Sequence, residues 1–395
     1  MLFRSHSVHL SYDLGADHKI GLRSTHFNGR FDYDVTGSYA APTDVHKGTT
    51  LIDSNTVYWS GKLSPIWTSR LNYSDAKERN TTDTVGGYSF TTQAETRTRL
   101  LSWTHQVSLP DLILSGGVDH QIQGIDAGTD GVNELTRQRN ANAVFGGLVY
   151  TRAAHSVQFN LRHDSVQGLA GKDSVYLGYG YDLNTQWKLI ASHATAFNVP
   201  PLGYLFDPYS GNPGLRPESA STNEVGVQWA NGVHRLRSTL FDTRTKDLLL
   251  YDMNTWQFSN VSSVKNQGLE TSYSGRIHAT DLRASLTVQD PINESTGQQL
   301  VRRARTLASA SVSQAMGLLT LGGSVRYTGA RPDIDGKPQL PSYVLLDLTA
   351  RYALNRDWTL FGRVENATDS HYQTAYGYNQ LPRTTYVGLS WKFKS

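Results

Sequence analysis

Thr385-Tyr386-Val387-Gly388-Leu389-Ser390-Trp391-Lys392-Phe393 divides cleanly when read with a period of two. Val387, Leu389, Trp391 and Phe393 fall on one side, and Tyr386, Gly388, Ser390 and Lys392 on the other. Alternation at 180° per residue marks a strand with one apolar and one polar face. Upstream the same division recurs. Val175, Leu177, Tyr179 and Tyr181 alternate with Tyr176, Gly178, Gly180 and Asp182. Leu282, Ala284, Leu286 and Val288 alternate with Arg283, Ser285, Thr287 and Gln289. Val344, Leu346, Leu348 and Ala350 alternate with Leu345, Asp347, Thr349 and Arg351. No segment of helical period is available to cover these faces. A sheet closed on itself, apolar side to lipid and polar side to a lumen, solves the problem without a second layer. The fold expected is therefore all-β, a transmembrane antiparallel β-barrel.

The composition permits this. Only 38% of the 395 residues are hydrophobic and mean hydropathy is −0.44, so no run reaches the roughly 18–20 apolar residues of a spanning helix. A spanning strand needs about 9–11 residues with only every second one apolar, so averages do not reveal it. Twenty-one Tyr, 8 Trp and 12 Phe suit interfacial girdles. With no cysteine, disulfide staples and thiolate metal sites are excluded. A net charge of +3 gives no reason to expect nucleic acid.

Turn chemistry sets a rhythm along the chain. Tight turns are expected at Gly15-Ala16-Asp17, Ser64-Pro65, Pro110-Asp111, Ala153-Ala154, Asn184-Thr185, Asn231-Gly232, Ala279-Thr280-Asp281, Met316-Gly317 and Asn355-Arg356-Asp357. Longer polar connections are expected at Val35–Ile52, Lys77–Phe90, Gly124–Glu134, Val199–Ser219, Asp290–Gln299, Gly329–Pro341 and Thr368–Pro382. Short and long alternate, as periplasmic turns and external loops do in outer-membrane barrels. A soluble sandwich or propeller would need a second sheet or a four-strand blade repeat, and neither is visible. The count is about nineteen strands, from Ser7–Leu14 to Thr385–Phe393. Such a barrel normally has an even number of strands with both termini inside. An odd count that begins on the outer side leads to the expectation of an N-terminally truncated barrel.

Asn212-Pro213-Gly214-Leu215-Arg216-Pro217-Glu218 resembles the Asn-Pro-x-Leu-x-Pro-Glu signature of TonB-dependent outer-membrane transporters, so Asn212, Pro213, Leu215, Pro217 and Glu218 are its motif residues. It follows Phe197-Asn198-Val199-Pro200, similar to the family's aromatic-x-x-Pro segment. Leu300-Val301-Arg302-Arg303-Ala304-Arg305 is similar to a run in the cobalamin-transporting branch. So is Val364-Glu365-Asn366-Ala367-Thr368-Asp369 with Tyr372–Tyr378. Lys394 and Ser395 depart from the family's terminal aromatic. The resemblance implies a barrel of about 22 strands preceded by a plug. Residues 1–395 then read as one receptor-like barrel domain carrying about nineteen of those strands, with the plug absent. It further implies an outer-membrane location, partnership with lipid and the barrel assembly machinery, coupling to the TonB complex through the plug, and no enzyme activity. The implied function is uptake of a large scarce nutrient such as cobalamin. A siderophore receptor of the same superfamily and a passive unplugged pore are the alternatives.

Candidate ligand contacts are the loop aromatics Tyr204, Phe206, Tyr209, Trp256, Tyr376 and Tyr378, since a flat corrinoid-like ligand needs apolar faces at the outer mouth. The competing reading places such aromatics in the interfacial girdle. Arg326, Asp347, Arg351 and Arg363 are expected to face the lumen, because charges on the lipid face cost a few kcal/mol near the midplane, and Arg302, Arg303 and Arg305 are expected to face it too, to pair with lumen carboxylates or, as the resemblance implies, to hold a plug. Thirteen His residues show no His-x-x-x-His spacing, so no metal site or resident cofactor is assigned. His163-Asp164 with the many Ser residues lacks a nucleophile turn, which sets aside a hydrolase. Asp126 and Asp130 in a Gly-rich loop raise calcium, but two carboxylates fall short of its six to eight oxygen ligands.

Overall fold

A computed structural model describes residues 2–33, 44–252, 255–261, 263–334 and 336–392. Its strands are β1 (Leu2–Leu14), β2 (His18–Asp32), β3 (Val45–Ser64), β4 (Trp67–Val85), β5 (Phe90–Ser108), β6 (Leu112–Thr129) and β7 (Val132–Arg152). They continue as β8 (His155–Val166), β9 (Lys172–Asp182), β10 (Trp187–Asn198), β11 (Glu218–Ala230), β12 (Arg235–Lys246), β13 (Leu248–Asp252) and β14 (Gln257–Val261). The last are β15 (Val264–Ile277), β16 (Thr280–Asn293), β17 (Thr306–Met316), β18 (Leu319–Thr328), β19 (Tyr343–Ala353), β20 (Trp358–Glu365) and β21 (Thr384–Trp391). One short helix, α1 (Leu202–Phe206), lies between β10 and β11.

Each strand pairs antiparallel with the next in a single 19-stranded sheet, with β12 passing directly to β15 and β13–β14 forming a separate hairpin. This meander puts every expected tight turn at one end. Positive φ at Gly15, Ala153, Gly232 and Gly317 occurs where those turns need it. Among the described residues β1 pairs only with β2 and β21 only with β20. The odd count makes these two edges run in the same direction.

The register lines up apolar residues in rows across neighbouring strands. Leu10 stands opposite Leu22, Leu22 opposite Val57, Val57 opposite Tyr73, and Tyr73 opposite Leu101. On the far side Ala310, Val325 and Leu346 align, as do Gly323, Leu348 and Val364. Directly opposed residues share a face, so each row lies on one side of the sheet, where most of its members are exposed, as on a surface turned to lipid, and past Leu101 the first row passes to His120, Asn142 and Ser165. Tryptophans cluster toward the tight-turn end, where Trp187 pairs with Trp229 and Trp358 stacks on Trp391 at 5.6 Å. Those positions match an interfacial girdle. Arg326, Asp347, Arg351 and Arg363 lie on the opposite face, where Arg326 Nη2 donates to Asp347 Oδ2 at 3.0 Å and Arg363 covers the Tyr386 ring.

Several expected loops are strand instead. Lys77–Phe90 and Gly124–Glu134 shrink to the turns Gly86–Ser89 and Asp130-Gly131, the latter with positive φ at both residues. Asp290–Gln299 begins as strand through Asn293. From Val45 the Val35–Ile52 stretch is also strand, and residues 34–43 lie outside the described residues, as do Phe393, Lys394 and Ser395. The physical reason is shared. β3–β7 run 18 to 21 residues, well past the bilayer, and above it both faces meet water. Without an apolar face they carry no period-two signal.

Candidate functional site

The long connections do not stand apart as free loops. Arg139, on the polar face of β7, donates Nε and Nη2 to Gln123 Oε1 and Nη1 to the Pro200 carbonyl at 2.7 Å. Arg139 and Pro200 are buried, so this bond draws the start of the 199–217 connection onto the inner side of the β6–β7 wall. Leu202 and Leu205 of α1 are buried as well, and Arg137 lies over the Phe206 ring at 5.3 Å.

The Asn212–Glu218 stretch is a clasp. Asn212 Nδ2 donates to the Phe258 carbonyl at 2.9 Å, while its Oδ1 accepts the Gly214 N–H. Asn260 Oδ1 accepts the Arg216 N–H, and its Nδ2 donates to the carbonyls of Arg216 and Asp247. The Arg216 guanidinium pairs with the Asp247 carboxylate. Glu218 ends the clasp, accepting the Leu249 N–H at 2.6 Å and Asn198 Nδ2 at 2.9 Å. Leu215 is buried beneath, and Pro213 and Pro217 bracket it with preset φ. The motif thus ties the end of β10, the start of β11 and the β13–β14 hairpin into one unit.

This unit gathers part of the expected aromatic set. Tyr204 stacks on Phe258 at 3.7 Å, and Tyr251 meets Phe258 edge-on. Tyr209 is 75% exposed and its hydroxyl donates to Glu134 Oε1, which raises its pKa. Trp256 sits at the hairpin tip, 64% exposed. Tyr376 and Tyr378 belong to a second cluster in the 366–383 connection. There the Tyr376 N–H donates to Asp333 Oδ2, and Lys337 Nζ lies 5.5 Å from the Tyr376 ring centre. Arg302 Nε donates to Asp333 Oδ1 at 2.6 Å. Burial pushes the Asp333 carboxyl up, but the N–H groups of Tyr376 and Ile334 together with Arg302 outweigh it and hold it below the ordinary carboxylate range.

Arg302, Arg303 and Arg305 are therefore not on the wall. They stand in the connection before β17, where Arg302 serves the Asp333 lock and Arg305 pairs with Asp290 at 2.9 Å. Their run lacks alternation because it is a connection, with positive φ at Arg302. Asn366 organises the 366–383 connection. Its N–H donates to Asp347 Oδ1 and its amide exchanges bonds with Ser370, while Asp369 accepts the Arg383 N–H. Asp126 accepts from Thr136 and Asp130 from the Thr91 N–H, so the two carboxylates serve separate strands. Among the described residues no three His, Cys, Asp or Glu side chains gather as cation ligands. Sequence reasoning missed Arg139, Phe258, Asn260 and Asp333. Each acts across a long sequence separation, and none sits in a local motif that signals its partner.

The family model described as TonB dependent receptor-like, beta-barrel matches residues 3–367. The chain is 26% identical over 335 residues to the vitamin B12 transporter BtuB of Vibrio vulnificus, covering 82% of this chain and 54% of that one. It is 25% identical over 391 residues to BtuB of Photobacterium profundum, covering 95% and 62%. The chain thus spans less than two thirds of the length of these relatives. Among solved structures, the copper transporter OprC aligns with a TM-score of 0.84 at 16% identity, over 98% of this chain and 71% of that one. The FrpB iron transporter from Neisseria meningitidis (F3-3 variant) aligns at 0.80 and 15%, over 99% and 72%. At these identities the structural likenesses speak for the fold.

Proposed function

The chain belongs to the TonB-dependent receptor β-barrel family of the outer membrane, and on that premise we propose that residues 1–395 form one barrel domain serving the uptake of a corrinoid such as cobalamin. The observation that carries the substrate class is the match along most of the chain to relatives named vitamin B12 transporters. The crown is consistent with a large flat ligand. Tyr209, Trp256, Tyr376 and Tyr378 present exposed rings, whereas Tyr204 is occupied by its stack on Phe258 and acts as a floor. Transport against a gradient requires the TonB complex, reached through a plug segment as the family resemblance implies, and insertion requires the barrel assembly machinery.

The test is retention of labelled cyanocobalamin by outer membranes that carry this chain and lack other cobalamin receptors. Saturable retention, reduced at least fivefold by Trp256→Ala with Tyr376→Ala, is expected. Displacement by a ferric catecholate or by Cu(II), with no effect of excess corrinoid, would move the substrate to the siderophore or metal class.

A further inference from the structure

On their lipid-facing side β8 and β9 hold a serine, a histidine and a carboxylate within bonding distance of one another. Val157, Phe159, Leu161, His163 and Ser165 share one parity on β8, and Phe159 stands between Leu148 and Leu177 on the neighbouring strands. His163 is opposite Asp173 on β9 and donates Nδ1–H to Asp173 Oδ1 at 2.7 Å. With Nδ1 protonated, Nε2 keeps its lone pair and lies 3.4 Å from Ser165 Oγ, whose hydroxyl can donate to it. That is the loose end of the range for a nucleophile and its base before substrate binds. The sequence around Ser165 has no nucleophile turn, and none is needed. Antiparallel pairing of β8 with β9 and a two-residue offset along β8 supply both contacts.

Two further features surround this group. Asn142 stands directly opposite Ser165, and His120 on its other side donates Nδ1–H to Asn142 Oδ1 at 2.7 Å. The bond leaves the Asn142 amide N–H groups beside Ser165 without a partner among the described residues, free to donate to an oxygen on which charge develops. Toward the tight-turn end a hollow of about 430 Å³ opens in the wall, with Leu71, Leu101, Trp103, Val118 and Val144 as its apolar sides. Asn142, His163 and Ser165 form its outer edge. Ten residues from His155 to Ser165, at about 3.3 Å each and tilted about 45°, put Ser165 roughly 23 Å above the tight-turn end, near the top of an apolar band about 25 Å tall. Acyl esters of the outer leaflet lie at this level, with their chains beneath.

We infer that Ser165 is an acyl-accepting nucleophile that takes a fatty acyl chain from an ester lipid of the outer leaflet, with His163 as its base and Asp173 positioning His163. Ser165 Oγ bonds to the ester carbonyl carbon as His163 Nε2 takes the hydroxyl proton, and the carbonyl oxygen becomes an oxyanion that accepts from the Asn142 amide. The C–O bond of the lipid ester then breaks, the lysolipid leaves as an alcohol with the proton from His163, and the acyl chain stays on Ser165 as a new ester. One ester replaces another, so the step needs no oxidant, reductant or cofactor. The apolar hollow holds the chain during the exchange, which selects a membrane lipid over a soluble short-chain ester. The site lies apart from the aromatic crown and is additional to transport, whichever nutrient is carried.

The test uses the full chain in vesicles of phosphatidylcholine with isotope-labelled acyl chains, and heat-dependent gel mobility verifies that each variant is folded. After delipidation and digestion, mass spectrometry should find the labelled acyl ester on the peptide that holds Ser165. A long-chain alkyl fluorophosphonate should label the same residue. Ser165→Ala should abolish both adducts. His163→Gln and Asn142→Ala should each slow their formation about a hundredfold at unchanged mobility. Asp173→Ala should slow it by about tenfold or more at unchanged mobility, as expected of a residue that orients His163 rather than one that holds the sheet. Absence of both adducts from the unaltered folded chain, or equal amounts on folded Ser165→Ala, would overturn the inference, whether or not the other variants fold. So would equal acylation by dibutanoyl phosphatidylcholine dissolved as monomers, which would make this a site for soluble esters.

Discussion

Leu348→Arg tests the facing of the sheet at one atom-sized point. β19 presents Val344, Leu346, Leu348, Ala350 and Tyr352 on the exposed apolar face, and Leu348 is the middle of the five. Its cross-strand neighbours are Gly323 and Val364, so no polar group waits to receive a guanidinium. At the bilayer midplane Arg costs about 2–4 kcal/mol, which is roughly a 30- to 900-fold change in the folding equilibrium. At Val344, near the interface, the same change should cost only about 0–1 kcal/mol. Ser324→Arg places the cation on the other face, opposite Asp347, where no lipid penalty applies. The assay is urea-induced unfolding of the three variants from lipid vesicles, compared at fixed lipid composition. A graded loss at 348, little at 344 and none at 324 is expected. Equal losses at 348 and 324 would refute the assignment of faces.

Three further outcomes follow from the crown. Glu218→Gln keeps the shape of the clasp but removes the charge that accepts from Leu249 and Asn198, and should cost roughly 1–2 kcal/mol with faster proteolysis of the 247–263 hairpin. An unchanged cleavage rate would argue against a clasp. The Asp333 carboxyl is held below its ordinary value, so its contribution is fully present above about pH 4 and is lost as pH falls through the lowered value. Hydrogen exchange at Tyr376 should therefore accelerate below that range in the unaltered chain and be insensitive to pH-linked release in Asp333→Asn, after correction for intrinsic rates. Arg139→Leu removes the bond to the Pro200 carbonyl and should expose α1 to protease while the sheet stays intact. Protection equal to that of the unaltered chain would mean that Leu202 and Leu205 suffice to seat the helix.

The wall was legible because lipid on one side and lumen on the other impose strict alternation. Val344–Tyr352 shows this: five positions of one parity are apolar or aromatic, and Asp347 and Arg351 have the other parity. Nineteen strands were countable for the same reason, since turn residues such as Asn231-Gly232 punctuate them. Legibility stopped at the membrane edge. Lys77–Thr84 and Gly124–Thr129 are strand without an apolar face, and a polar strand looks like a loop until its partner is known. The crown was legible only in fragments. The Asn212–Glu218 motif announced a stiff connection, but its partners Phe258, Asn260 and Leu249 come from a hairpin some 30–50 residues away. Nothing local to Tyr204 signals that its face is taken by Phe258.

This chain crosses the outer membrane as a meander with its tight turns on one side and its long connections on the other. Because the sequence has no cysteine, single cysteines can be introduced at Ala16, Asn184 and Asn355 in the turns and at Tyr209, Ser295 and Gln380 in the long connections. Intact cells are treated with a maleimide too bulky to pass porins, and labelling is compared before and after permeabilising the outer membrane. Immediate labelling is expected at 209, 295 and 380, and labelling at 16, 184 and 355 only after permeabilisation. Labelling of both groups in intact cells, or a division that cuts across turns and connections, would contradict it.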